Sequence, residues 1–128
     1  MGAVITERVG VADARLAAIQ AGRWLVILGV RLRPQARPIS RWTPCYAALL
    51  CDDAPDAQRL ATCRLYLDAV RVQAAQERWV WEADHNASAV EEAERPWRTT
   101  ERGMALCAIA RLLETAIAGM EVAERLSR

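Results

Sequence analysis

The chain has 128 residues, the length of one ordinary domain, with 53% hydrophobic and 26% charged side chains and a net charge of +1. That balance excludes a fully disordered chain, which carries less apolar content and more net charge. With 6 Gly and 5 Pro it also excludes a collagen-like or low-complexity polymer.

Alanine is the commonest apolar residue, with 25 copies, so a core here needs helices that approach closely through small side chains. All 17 basic residues are arginine. The simplest cause is a GC-rich genome, which points to a bacterium or its phage; the other is selection against lysine-directed modification or for the planar five-donor fork of arginine. Met1 to Gly10 carries Glu7 and Arg8 and no long apolar run, so no secretory leader is expected. The longest apolar stretch, Trp24 to Val30, is far shorter than the roughly 20 residues of a membrane span. The expectation is a cytoplasmic chain without membrane contact, its four cysteines reduced.

In chain order, residues 3–6 read as a short strand or a fraying lead-in. From about Val11, alanines 14, 17, 18 and 21 recur with Leu16 and Ile19 at helical spacing, and Gly22 can end that helix. From Trp24 to Arg33, Val26, Leu28, Val30 and Leu32 alternate as in a strand. A strand needs a partner that the rest of the chain does not offer, so helix to about Arg31 is expected. Pro34 and Pro38 then break regular structure, and residues 33–42 are a basic loop. Thr43 as N-cap with Pro44 at the first helical position starts a short helix ending near Cys51. Asp53 caps a long helix, with Ala54, Pro55 and Asp56 in its first turn.

That long helix carries the clearest stripe. Leu60, Cys63, Leu67, Val70, Ala74 and Trp81 follow three- and four-residue steps to about Asp84, broken only by Glu77. Ser88 and Glu91 form a capping box for a helix of about Ala89 to Arg95, stopped by Pro96. Thr99 or Thr100 caps the last helix, which runs to about Leu126 on the stripe Leu106, Ile109, Leu113, Ala116, Met120 and Ala123. The predicted fold is an all-α bundle of about four to five helices in a single domain, residues 1–128. A long antiparallel hairpin (residues 54–84 and 100–126) has its apolar face covered by the first helix.

The chemistry-bearing residues point away from catalysis. Cys45, Cys51, Cys63 and Cys107 lack the two-to-four-residue pairing of a zinc knuckle and fit core positions. Glu82 and His85 have the Glu-x-x-His spacing of di-iron bundles, but such a site needs the motif twice and the chain has one histidine. His85 suits a helix C-terminus instead. Glu91, Glu92 and Glu94 read as a solvated helix face. There is no nucleophile elbow, phosphate loop or H-E-x-x-H. Accordingly no enzyme activity, metal or cofactor is expected.

Two features point to binding. Residues 1–51 hold 7 Arg against 2 acids, and residues 52–128 hold 10 Arg against 14 acids. Arg31, Arg33, Arg37 and Arg41 cluster around the Pro-containing loop, the footprint of a phosphate-binding surface. The competing explanation is that the basic half pairs internally with the acidic half, which near-neutrality overall favours. The second feature is Trp79. Trp81 continues the core stripe, so Trp79 points away from it, beside Arg71, Arg78 and Glu82. It is either a binding anchor or covered by another helix. The function expected is a non-enzymatic protein-binding module (a small adaptor, complex subunit or inhibitor) acting through that helix face. The alternative is sequence-nonspecific nucleic-acid binding through Arg31, Arg33, Arg37 and Arg41. A homodimer is also compatible with two striped helices lacking a full third cover.

Overall fold

A computed structural model describes residues 2–32, 44–84 and 97–126. Among these it is an all-α bundle: α1 (Gly2–Leu28), α2 (Tyr46–Leu50), α3 (Asp56–Asp84) and α4 (Glu101–Leu126). The expected helix over residues 89–95 and the whole basic loop, residues 33–42, lie outside the described residues.

α1 is one 27-residue helix, longer at its start than the sequence suggests, and residues 3–6 belong to it rather than to a strand. Gly22 does not end it. A Cβ there would meet Leu50 Cδ2 at 3.0 Å and Leu49 Cβ at 3.1 Å, so the glycine is where α2 rests on α1. The helix stops at Leu28, earlier than the expected Arg31. Gly29 takes φ +70, the Gly29 N–H donates to Val26 O at 3.1 Å and the Val30 N–H to Leu25 O at 3.0 Å. Those two bonds form a Schellman motif, and its apolar contact joins Leu25 and Val30, both buried. Backbone groups satisfied in this way need no strand partner, so the alternation from Val26 to Leu32 does not become one.

α2 starts after Cys45, not Thr43, which lies outside the described residues; Cys45 is extended at the N-cap and Pro44 precedes it. The Cys51 N–H closes the helix on Ala47 O at 3.0 Å. Asp53 then sits in a turn and does not cap α3. The first helical acceptor is Pro55 O, taken by the Arg59 N–H at 2.9 Å, and only Asp56 of the expected first turn lies inside the helix. Arg59 fixes this junction. It is buried, donates from Nη2 to Cys51 O at 2.6 Å, and pairs through Nη1 with Asp56 Oδ1 at 3.3 Å. At the other end Thr100 caps α4 as expected: its Oγ1 accepts the Gly103 N–H at 3.0 Å.

α3 and α4 form the antiparallel hairpin. Arg64 reaches Glu121 at 2.8 Å, Arg71 reaches Glu114 at 3.1 Å and Arg102 reaches Glu77 at 2.8 Å, so the two helices run past each other in opposite directions. The stripes meet between them: Leu60, Cys63, Leu67 and Val70 against Leu106, Ile109, Leu113, Ala116 and Met120. α1 packs chiefly on α4 rather than across both helices, and α2 fills the space between α1 and α3. The alanine stripe of α1 permits the closest approach. At Gly119 a Cβ would stand 2.5 Å from Ala14 Cβ and 2.9 Å from Gly10 O, so two helix backbones nearly touch there. Stacked Tyr46 and Tyr66 rings, 5.3 Å between centroids, seat α2 on α3, and the Tyr46 hydroxyl donates to Val30 O.

α4 is long and apolar enough by length and composition to cross a membrane. In this fold its apolar stripe is the centre of the core, between α1 and α3.

Candidate interaction surface

α3 has a second apolar line, on the side opposite its core stripe. Leu65, Val72 and Trp79 are 37%, 58% and 69% exposed, each seven residues after the last. Seven residues is close to two helical turns, so the three side chains stand in one row about half a turn around from Cys63 and Val70. An arginine precedes each of them: Arg64, Arg71 and Arg78. Arg64 and Arg71 lean toward α4 and end on Glu121 and Glu114. The next step of that ladder has no acid on α4, and Arg78 pairs within its own helix, Nε to Glu82 Oε1 at 3.0 Å. Asp68 sits beside the row, exposed and without an ion pair among the described residues.

Trp79 is therefore open to solvent rather than covered by another described helix. The four residues expected to surround it are only partly assembled. Arg78 and Glu82 pair beside it, with Glu82 largely covered. Arg71 lies two turns away and its guanidinium is held by Glu114, so it borders Val72 rather than Trp79.

The break that Glu77 makes in the core stripe is also explained here. Its Oε1 accepts from Arg102 Nε at 2.8 Å, while Arg102 Nη1 donates to Leu28 O, a terminal carbonyl of α1, at 3.3 Å. One arginine thus ties α3, the start of α4 and the end of α1 together, while Glu77 Oε2 is buried with no hydrogen-bond partner among the described residues. The pair borders a shallow open cleft of about 340 Å³ with Gln76, Val80, Trp81 and Trp97. Sequence reasoning missed this pairing; the signal was an acid on an apolar stripe, which calls for a cation on the facing helix.

Of the basic cluster, Arg31 is exposed; Arg33, Arg37 and Arg41 lie outside the described residues, as do His85, Glu91, Glu92 and Glu94. Pairing between the basic and acidic halves occurs at Arg15, which meets Asp56 Oδ2 at 2.6 Å. That hydrogen bond holds the Asp56 carboxyl below its ordinary value and raises Arg15. Arg23 and Arg31 make no ion pair among the described residues. All four cysteines are free, and burial pushes the Cys63 thiol up to about 12, so it stays protonated and packs as a small apolar residue.

No family model matches the chain, and no curated protein or solved structure matches it.

Proposed function

We propose that the chain is a non-enzymatic protein-binding module, an adaptor, complex subunit or inhibitor, that acts through the outer face of α3. The observation that carries this is the row Leu65, Val72 and Trp79, exposed on a helix whose opposite face is already committed to the core. A helix needs one apolar face to fold into a bundle; a second one in register is the pattern of helix-face recognition. Trp and Arg are both among the residue types enriched where binding energy concentrates.

The test uses the tagged chain in a bacterial lysate that also contains the untagged chain, so that any partner, self or foreign, can be captured. Trp79→Ala keeps the helical circular dichroism of the wild type and loses the captured protein, as truncation of a binding anchor costs about 2 kcal/mol or more. Equal capture by the two chains, including none by either, contradicts the proposal.

A second reading is sequence-nonspecific nucleic-acid binding through Arg31, Arg33, Arg37 and Arg41. It is supported by Arg31 and Arg23 being exposed with no acid paired to them among the described residues. It predicts affinity that falls steeply with salt; binding indifferent to salt contradicts it.

A further inference from the structure

We propose that the partner of the outer α3 face is a second copy of this chain, docked antiparallel about an axis near Val72 and Gln73. This rests on that face being a binding surface, and it identifies the occupant by the pattern on the face itself.

The pattern is nearly its own reverse. Turning α3 end for end about Val72 lays Leu65 on Trp79 of the other copy and Val72 on Val72. The same turn sets Ala61 against Ala83, small residues that let two helices approach. The charges are reversed in sign under the same operation. Arg64 comes level with Glu82 of the other copy to within two residues, about 3 Å of rise, and Asp68 comes level with Arg78 to within the same distance. All four lie on the α4 side of the apolar row, and in an antiparallel pair the same sides of the two helices face each other. The two-fold axis repeats both contacts, which add to the Arg64–Glu121 and Arg78–Glu82 pairs inside each copy and give Asp68 an ion pair it lacks among the described residues.

Asp68 is the telling member. It stands at the edge of an apolar row with no ion pair among the described residues, while Arg64 and Arg71, one turn to either side, are directed to α4. In the reversed pair it meets Arg78 of the other copy. Arg71, nearest the axis, would meet its own copy, and its charge there is already matched by Glu114 at 3.1 Å. A parallel pairing does none of this. It sets Asp68 level with Asp68 and turns the arginine side toward Ala69, Gln73 and Gln76, which offer no charge.

Charge exchange tests the orientation as well as the contact. Arg64→Glu places a carboxylate opposite Glu82 of the other copy, and Glu82→Arg places a guanidinium opposite Arg64. Each variant alone therefore meets like charge twice across the axis, yet an equal mixture of the two meets opposite charge twice; the helicity of each variant is recorded beside its mass, because Arg64 and Glu82 also pair with Glu121 and Arg78 inside the chain. The purified full chain is followed by light scattering or sedimentation from about 1 to 100 µM, where mass action reveals a dimer. The wild type is expected to reach twice the monomer mass. Each single variant is expected to dimerise about tenfold more weakly, a coupling on the scale of paired charges in one network. The mixture is expected to recover the wild-type mass. A wild type that stays monomeric throughout overturns the inference, as does a dimer indifferent to both substitutions or a mixture that fails to recover. A monomeric wild type that still loses foreign protein on Trp79→Ala overturns this inference alone and leaves the binding surface standing.

Discussion

Asp56 joins the start of α3 to α1, because Arg15 donates to both of its carboxylate oxygens, at 3.1 and 2.6 Å. The hydrogen bond to Arg15 lowers the Asp56 pKa in the folded chain. Stability gained from a depressed carboxyl is present above its unfolded value, about 3.9, and is lost as pH falls through the lower folded value. Asp56→Asn should therefore unfold at lower urea than the wild type at pH 7, by no more than about 1 kcal/mol for so exposed a pair. The difference should close as the solution is taken to about pH 2; a gap that persists in acid would mean that the carboxylate is not its source. At this scale the sequence shows which residues are charged and not which meet. Arg15 and Asp56 are 41 positions apart, and Glu77 reads as a defect until Arg102 is seen opposite it. Arg71 was expected beside Trp79 because sequence spacing gives the side of a helix but not where a long flexible side chain ends.

The elements themselves were more legible. The α3 and α4 stripes predict the hairpin because a repeat near 3.6 places each apolar residue on one face, whatever that face later meets. Helix ends were less so. Thr100 caps α4 as its residue type suggests, but Asp53 does not cap α3, since Arg59 on Cys51 O leaves Asp53 out in the turn. Glycine was the main ambiguity. Gly22, Gly29 and Gly119 look alike in sequence, yet one receives a neighbouring helix, one ends a helix, and one lies at a crossing of backbones. Gly119→Ala separates these roles. Its Cβ would fall 2.5 Å from that of Ala14, so α1 must move off α4. Helix propensity alone would favour alanine there by about 1 kcal/mol. The expected result is a net loss of about 1–3 kcal/mol by urea unfolding, the range for overpacking. A gain in stability would show that the two helices are not held that close.

At the scale of the bundle, among the described residues α1 and α3 both pack on a central α4, and the short α2 closes the gap between α1 and α3. This arrangement satisfies the core with one face of α3 and leaves the other carrying Leu65, Val72 and Trp79. The all-α bundle was readable because periodicity alone sets its elements. Which helix covers which was not: α1 was expected to lie over both arms of the hairpin, and alanine-lined contact with Gly119 draws it to α4 instead. The row itself was visible only at Trp79, because Leu65 and Val72 stand among other apolar residues until the core stripe is fixed. The central claim is that this row serves association and not folding. Val72 is its midpoint, and the decisive measurement is the association of a Val72→Glu chain beside the wild type, with helicity and unfolding recorded at concentrations low enough for single chains. An exposed helical site should tolerate glutamate to within about 0.5 kcal/mol. The account predicts unchanged unfolding and lost association. Association that survives the charge, or an isolated chain that unfolds several kcal/mol sooner, would contradict it.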